Sequence, residues 1–200
     1  MAARELSEKG ASTRRAILDA AIARFGREGY RATSVADVAR DAGLGGTVTY
    51  AYFPNKEALF LAAIDDDAAG VITEGLATVL DQMELPDWRT SLILTLVDAL
   101  DHHPLARRVL AGLEPEVTER VMEIPALTEL RKAVVERIRG EQAAGHLRTD
   151  VDAEAMGNGI VTILLSLLMS VVQVGTSVAT IYGDDVSAVI NAALDRTPRH

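Results

Sequence analysis

Residues Ser34 to Phe53 read SVADVARDAGLGGTVTYAYF, and this stretch decides the fold. Ser34 followed three residues later by Asp37 is typical of a capped helix N-terminus, in which the two residues bond reciprocally. Four apolar residues then repeat with helical spacing and predict a buried stripe: Val35, Val38, Ala39 and Ala42. Gly43 can supply the positive φ of a tight turn, and Leu44 can fill the space under it.

The residues after this turn predict a third helix, from about Thr47 to Phe53. It presents side chains that can hydrogen-bond to phosphates or base edges: Thr47, Thr49, Tyr50 and Tyr52. Tyr50 and Tyr52 cannot share one helix face at this spacing, so at least one of them is expected to be exposed. Phe53 is expected to point into the core. Two helices joined by so short a turn are typical of a helix-turn-helix, whose second helix enters the major groove of DNA.

The flanking segments supply the rest of a small helical domain. Upstream, apolar residues mark one face of a helix from Thr13 to Glu28: Ile17, Leu18, Ala21, Ile22 and Phe25. Gly29 can end that helix with a positive φ. Downstream, Pro54 and Asn55 interrupt the chain, and a fourth helix is predicted from Lys56 to about Met83.

Two motifs in this region resemble the TetR family of one-component transcriptional regulators. The first is GYRATSVADVA at residues 29–39, and the second is YAYFPNKEAL at residues 50–59. The resemblance runs from Thr13 to about Leu61, which is about a quarter of the chain. The remainder matches the family in layout, because members follow this domain with a helical ligand-binding and dimerisation domain of about this length.

The resemblance implies a DNA-contacting set: Thr33, Ser34, Thr47, Thr49, Tyr50, Tyr52 and Lys56. Thr33 and Ser34 are implied to contact phosphates at the start of the second helix, where backbone amides also suit anions. Lys56 matches the phosphate-contacting lysine of the family. Gly45 and Gly46 depart from the pattern, which often has Ser followed by a basic or polar residue there, so no operator sequence is implied.

The rest of the chain is predicted to be helical, which makes the whole fold all-α. Prolines separate most of the predicted helices, which span residues 87–101, 105–113, 116–123, 127–144, 152–175 and 184–195. Residues 175–182 are β-branched enough to leave a strand open there. We therefore expect a helix-turn-helix DNA-binding domain at residues 1–58 and an effector-binding and dimerisation domain at residues 59–200.

Charge divides the chain in the same place. The first 60 residues hold nine Lys and Arg against seven Asp and Glu, whereas the others hold 11 against 22. The first part can therefore approach a polyanion that the second part repels. Arg14 and Arg15, at the start of the first helix, are either solvated charges or DNA contacts. Cysteine is absent and the N-terminus has mixed charge without an apolar core, so a reducing cytoplasm is expected.

The most apolar stretch, Ile160 to Val174, is too short at 15 residues to span a bilayer. Its polar side chains form one narrow stripe: Thr162, Ser166, Ser170 and Gln173. A helix that is apolar on its other sides needs cover from its own domain and, where that is incomplete, from a second subunit. A homodimer without membrane contact is therefore expected. The alternative is a helix covered entirely by its own domain.

The sequence gives no support to catalysis. It contains no HExxH, P-loop, GxGxxG or paired nucleophile and base, so we expect neither an enzyme nor a cofactor. The alternative is a helical metal-binding protein or enzyme built on His102 and His103 with nearby carboxylates such as Asp98. A helix C-terminus that favours imidazolium also explains this pair. Four glutamates are expected to form a solvated face rather than a cation site: Glu114, Glu116, Glu119 and Glu123.

The second part of the chain holds Trp88 and Tyr182 as its aromatic residues after position 60. A cage of stacked rings is therefore poorly supported, and an apolar or amphiphilic small-molecule effector is expected in a pocket between the C-terminal helices. The combined features predict a ligand-responsive transcriptional repressor that binds double-stranded DNA at a palindromic operator. An interaction protein whose DNA-binding domain has decayed is a third reading, supported by Gly45 and Gly46.

Overall fold

The structure is a computed structural model, and it describes residues 2–82, 95–117, 121, 123–175 and 177–195. The α-helices are α1 (Ala2–Ala32), α2 (Val35–Asp41), α3 (Lys56–Gln82), α4 (Pro104–Leu110), α5 (Pro125–Ala143), α6 (Ala153–Val174) and α7 (Ser177–Leu194). Short 3-10 helices occupy Thr49–Ala51 and Pro115–Val117, and residues 95–99 are also helical. The all-α prediction is confirmed, since β pairing in the described residues is limited to one bridge between Leu147 and Asp195.

The first helix is longer than predicted, because α1 begins at Ala2 instead of Thr13. Its predicted inward face is fully or nearly fully buried, with Ile22 half-buried: Ile17, Leu18, Ala21 and Phe25. Gly29 interrupts the helix with a φ of 85°, as expected, because glycine adopts positive φ without steric cost. Helical geometry then resumes as far as Ala32.

Aromatic rings join α1 to α3 in the N-terminal domain. The ring centres of Phe25 and Phe60 lie 4.9 Å apart in an edge-to-face arrangement, and those of Tyr30 and Phe60 lie 4.7 Å apart. Arg24 adds a tie from α1 to α2, since its Nε donates to the Asp41 carboxylate at 2.6 Å. These contacts fix the three helices that carry the helix-turn-helix.

The C-terminal helices pack in a bundle in which α6 contacts α4, α5 and α7. The approach of α5 to α6 is close, because a Cβ on Gly157 would lie 2.5 Å from Cγ2 of Val135. The N-terminus of α6 is capped by Asp152, whose Oδ1 accepts from Ala155 N at 2.7 Å. This bundle holds most of the apolar core of the second domain.

Two of the predicted C-terminal elements need correction. The last helix begins at Ser177 rather than at residue 184, so the β-branched segment is helical and not a strand. The helix that contains this segment contacts α6, and intrinsic propensity is a weak preference that tertiary context can override. The segment predicted at residues 116–123 contains the 3-10 helix Pro115–Val117, and residues 118–120 and 122 lie outside the described residues. The predicted helix at residues 87–101 is seen at 95–99, and residues 83–94 lie outside as well.

By length and composition α6 could cross a membrane, since the helix runs for 22 residues and not the 15 of its apolar stretch. Core helices pass the same test. Nine residues along α6 are buried inside the chain, and its neighbours are other helices. This helix therefore gives no indication of a membrane protein.

The two domains meet where α4 begins. Asp67 of α3 is buried, and its Oδ2 accepts from the backbone N–H groups of Leu105 at 2.9 Å and Ala106 at 2.8 Å. Gly26 of α1 lies against Pro104, because a Cβ on that glycine would come within 2.8 Å of the proline Cβ. The first turn of α4 is thus held by α1 and α3 together.

Candidate functional site

The helix-turn-helix begins at the capped N-terminus of α2. The Ser34 hydroxyl accepts from Asp37 N at 3.1 Å, as predicted. The return bond differs from the prediction, because the Asp37 carboxylate accepts from the Ser34 hydroxyl at 2.6 Å rather than from its backbone. This bond, together with Arg40, lowers the pKa of Asp37 below its ordinary value. The start of α2 is therefore fixed by side chains that lie at the surface.

The turn after α2 has the geometry that its sequence predicts. Gly43 has a φ of 70°, and its N–H donates to Arg40 O at 3.0 Å. The N–H of Leu44 donates to Ala39 O at 2.8 Å, and the Leu44 side chain packs on the core. These two bonds form a Schellman motif, in which a glycine reverses the chain after a helix.

The predicted helix from Thr47 to Phe53 is shorter than expected. Thr49–Ala51 form a 3-10 helix, with turns on either side. Gly45 and Gly46 weaken the first turn, three β-branched residues follow, and Pro54 ends the segment, so the local helix propensity is low. Phe53 is buried as predicted, which fixes the end of this recognition segment (residues 47–53) to the core.

The residues implied to contact DNA differ in how much of each side chain is exposed to solvent. Ser34 and Thr47 are exposed, and Tyr50 has 55% of its surface open to solvent. Tyr52 and Lys56 are half-buried. At least one of the two tyrosines is thus exposed, as predicted.

Thr33 and Thr49 are buried, and their Oγ1 atoms lie below the surface with no hydrogen-bond partner in the described part of the chain. Such a buried hydroxyl cannot reach a phosphate without movement of the backbone. Sequence reasoning places both threonines by position in a motif, which does not reveal the direction of a side chain. They are therefore left out of the surface proposed below.

Most arginines of the N-terminal domain are engaged by carboxylates. Ion pairs of this kind involve Arg15, Arg24, Arg27, Arg31 and Arg40. Three cations between residues 8 and 60, all of which are described, have no carboxylate partner: Lys9, Arg14 and Lys56. The Arg14 guanidinium lies 5.3 Å from the centre of the Phe53 ring, so it sits beside the recognition segment. These three cations remain available to an anionic ligand.

Comparison with known proteins decides the family of this domain. Residues 17–63 match the family model described as "Bacterial regulatory proteins, tetR family", which covers α2, the turn, the recognition segment and the start of α3. The N-terminal domain belongs to the TetR family. An HTH-type transcriptional regulator of Bacillus subtilis (strain 168), YdgC, is 24% identical over 175 residues, which are 85% of this chain and 86% of that protein.

Solved TetR structures share the whole fold. A TetR transcriptional regulator from Chloroflexus aurantiacus J-10-fl is 23% identical, with a TM-score of 0.70 over 95% of this chain and 100% of that one. The fatty acid degradation regulator FadR from Bacillus halodurans is 17% identical, with a TM-score of 0.68 over 88% and 93%. The TetR fold, with a helix-turn-helix domain and a helical C-terminal domain, is thereby shown.

An apolar cavity lies inside the C-terminal domain. The volume of this cavity is about 60 Å³. Each described residue of its lining is apolar, with representatives from α3, α4, α5 and α6: Ile64, Val71, Val109, Leu130, Val161 and Leu164. Leu96 and Leu100 also line it, so the cavity lies between C-terminal helices, where a pocket is predicted. The sequence does not reveal that α3 contributes a wall.

The histidine pair lies beside this cavity in a hydrogen-bonded cluster. His103 contacts Asp67 through Nδ1 at 2.8 Å and Glu74 through Nε2 at 3.3 Å, while His102 Nδ1 contacts Glu74 at 2.8 Å. This bond to Glu74 raises the pKa of His102 above its ordinary value, and the pKa of Glu74 is lowered in turn. The partners are residues of α3 and not Asp98, and no group of three or more candidate metal ligands occurs in the described residues.

Glu114 is the residue that sequence reasoning placed wrongly. It was expected on a solvated face with Glu116 and Glu123, which are exposed, and Glu119, which lies outside the described residues. Only 4% of the Glu114 surface is open to solvent. Its partners include Arg108 and the backbone of Tyr30, and no local pattern could reveal a contact between residues 84 positions apart.

An exposed apolar face runs along α6 and α7. Ile163 on α6 and Val189 on α7 have 38% and 63% of their surface open, and Val174 and Tyr182 are also exposed. Between them lie small hydroxyls that each donate to the carbonyl four residues earlier: Thr162, Ser166 and Ser170. Because these hydroxyls are already bonded, this α6–α7 face can be covered without leaving a donor unsatisfied.

Proposed function

We propose that this chain is a cytoplasmic, ligand-responsive transcriptional repressor that binds a palindromic operator as a homodimer and is released by a small apolar or amphiphilic effector. The observation that carries the proposal is the Schellman turn at Gly43. It is followed by an exposed Tyr50 and by Phe53, whose ring lies beside Arg14, a cation without a carboxylate partner. Separate features of the structure support DNA binding, dimerisation and release by an effector.

The DNA-binding surface comprises Ser34, Thr47, Tyr50, Tyr52 and Lys56, with Arg14 at its edge. Lysine and arginine supply phosphate contacts, whereas Tyr50 and Thr47 are placed to touch base edges in the major groove. The recognition segment would gain regular helical turns on DNA, since Gly45 and Gly46 leave its start loosely determined. The net positive charge of the first 60 residues favours this approach.

A homodimer would cover the α6–α7 face. The face is apolar, its hydroxyls are bonded within α6, and its small side chains allow close helix approach. Two-fold pairing of α6 and α7 with their symmetry mates gives a self-complementary interface. The same symmetry places two recognition segments on two half-sites and explains why the operator should be palindromic.

The cavity is the proposed effector site. With no polar group in its described lining, it favours a ligand whose buried part is hydrocarbon. FadR from Bacillus halodurans, which has the same fold, is named a fatty acid degradation regulator, and a fatty acid has a hydrocarbon chain of this kind. The described volume is smaller than the roughly 150 Å³ cavity that holds benzene in an engineered protein, so a larger ligand must push the walls apart.

Wall movement would reach the DNA-binding domain through α4. This helix lines the cavity with Ala106, Val109 and Leu110. Its first turn is bonded to Asp67 of α3, and its last carbonyls include Leu110 O, which accepts from Gln173 of α6 at 2.9 Å. An effector that favours a displaced α4 must weaken operator binding by the same coupling free energy, typically about 1 to 3 kcal/mol.

The alternative functions have less support. The histidine cluster satisfies its own hydrogen bonds, and the family match is to regulators, so a metal-binding protein or enzyme is not favoured. A decayed DNA-binding domain would not need an exposed Tyr50 in the same segment as Phe53, whose ring lies beside the cation of Arg14.

Selection from genomic fragments tests the proposed function. Purified full-length protein should enrich a small set of duplexes that share one palindrome, because base contacts add to the uniform phosphate attraction. The neighbouring genes then identify what is regulated. Recovery of fragments without a shared sequence would contradict the proposal.

A further inference from the structure

We propose that Glu114 is a positioning residue, through which the C-terminal domain holds the helix-turn-helix by the backbone N–H of Tyr30. Oε1 of Glu114 accepts from Tyr30 N at 3.1 Å and from Arg108 Nε at 2.6 Å. The carboxylate is buried at the joint between the domains. This inference rests on the DNA binding proposed above and assigns it a determinant outside the DNA-binding surface.

The Tyr30 N–H that Glu114 accepts from lies at the break in α1. It follows Gly29, where α1 is broken by a φ of 85°, and it precedes the short turn that leads into α2. The segment after Gly29 therefore does not continue in the direction of α1, because the φ and ψ of Gly29 lie outside the helical region. A carboxylate from the other domain therefore supplies the acceptor at the point where the helix-turn-helix leaves α1.

Gly29 gives independent support, since its missing side chain makes room for the same pair. A Cβ on Gly29 would lie 2.5 Å from Arg108 Nη2 and 2.7 Å from Glu114 Oε1. The ion pair thus lies directly on the backbone of the break. A second ion pair, between Arg31 and Glu116, is exposed to solvent, whereas the carboxylate of Glu114 is buried.

Tyr30 connects the buried carboxylate to the DNA-binding surface. Its ring packs on Phe60, and Lys56 Nζ lies 4.3 Å from its centre. On the other side, Arg108 belongs to α4, which lines the cavity. Glu114 therefore joins Arg108, on a helix that lines the cavity, to Tyr30, whose ring lies beside Lys56. Loss of the Glu114 carboxylate should change the orientation of the recognition segment, while the residues of the DNA-binding surface stay the same.

Two double variants of the full chain separate positioning from charge and volume. Arg108→Met with Glu114→Gln keeps an acceptor for Tyr30 N–H, whereas Arg108→Met with Glu114→Met removes it. Both have the net charge of the wild type, both keep similar volumes, and in neither does Arg108 or Glu114 remain as a charge without the other. Affinity is measured for the selected palindromic duplex and for a scrambled duplex of equal length, at one salt concentration.

The glutamine variant should keep the ratio of the two affinities within about twofold of the wild type. The methionine variant should lower that ratio at least about fivefold, the lower end of typical coupling between sites, while its affinity for the scrambled duplex stays unchanged. A role in stability alone would lower the melting temperature without changing the ratio among folded molecules. Equal ratios in the two folded variants would overturn the proposal.

Hydrogen exchange of the wild type provides a second test that no unfolded variant can obscure. The Tyr30 amide should be protected in the free protein and further protected with the selected duplex bound, because DNA binding and this contact are coupled reciprocally. An amide that exchanges freely, or protection that is unchanged by DNA, would overturn the positioning role. A wild type that binds both duplexes equally would instead show that the proposed function itself is wrong.

Discussion

The ammonium group of Lys56 lies 4.3 Å from the ring centre of Tyr30. A cation over an aromatic face is attracted to it but keeps its hydrogen atoms free for another partner. The same lysine is the first residue of α3, where Asn55 caps the helix by accepting from Ala58 N at 2.8 Å. Ring and cap together hold the lysine at the start of α3, directly after the recognition segment, where we propose that it contacts a phosphate.

Removal of this charge should weaken binding to every duplex. Lys56→Ala is expected to lower the affinity for operator and scrambled DNA alike, and to reduce the log–log salt slope by about one per protomer, because one phosphate contact is lost. Lys132→Ala is the matched control, since Lys132 is exposed and paired with Glu129 in the C-terminal domain. Titrations over a range of salt concentrations that show the same slope for wild type and Lys56→Ala would exclude this role.

Tyr50 should supply discrimination instead of general affinity. Its side chain is mostly exposed, so Tyr50→Ala should change the free energy of unfolding by no more than about 0.5 kcal/mol. The preference for the operator over scrambled DNA should fall by roughly 1 to 3 kcal/mol if base contacts are lost. Tyr50→Phe separates the hydroxyl from the ring. Undiminished preference in Tyr50→Ala would remove Tyr50 from the reading surface.

The α6–α7 face should hold the dimer together. Ile163→Glu or Val189→Glu places a charge where the partner helix would bury it without a counter-charge, so sedimentation should show monomers at micromolar concentration. Leu167 and Leu168 are unsuitable for this test because both are buried in their own domain. Leu113→Glu is the control, since Leu113 is exposed on the turn after α4. A wild type that sediments as a monomer would refute the interface.

Apolar ligands should stabilise the C-terminal domain. Straight-chain alcohols of increasing length should raise the melting temperature. A ligand at a hundredfold excess over its Kd should raise the free energy of unfolding by about 2.7 kcal/mol. The same concentrations should release operator DNA. Val161→Phe fills part of the cavity and should abolish both effects. Stabilisation without release would show that cavity and DNA-binding domain are not coupled.

The histidine cluster predicts a pH dependence of stability. The pKa of His102 is raised by its bond to Glu74, so the stabilisation is complete below its ordinary value of 6.5 and is lost as pH rises through the folded value. The pKa of Glu74 is lowered, so its contribution is present above 4.5 and is lost as pH falls through the folded value. His102→Gln should therefore destabilise the protein more at about pH 5.5 than at about pH 9 in urea unfolding. An equal loss at both pH values would contradict this.

Local patterns predicted much of the DNA-binding domain. The cap at Ser34, the turn at Gly43 and the buried face of α1 follow from residue type and spacing within a few positions, and each is found. The recognition segment differs because its glycines and β-branched residues make a short helix costly, while Phe53 still anchors its end.

Contacts distant in sequence could not be predicted. Glu114 looks like one of several surface glutamates until the fold brings it to Tyr30 and Arg108. The buried hydroxyls of Thr33 and Thr49 depend in the same way on how the helices pack, and so does the α3 wall of the cavity. Helix positions are local properties, whereas burial and partnership belong to the tertiary structure.

One titration tests operator recognition by the dimer most directly. Full-length protein is added to the selected palindromic duplex and to its scrambled counterpart at a single salt concentration, and binding is monitored by fluorescence anisotropy. We expect saturation at two protomers per palindrome and an affinity at least about a thousandfold higher than for the scrambled duplex. Equal affinity for the two duplexes would contradict the account, because phosphate attraction without base reading treats every sequence alike.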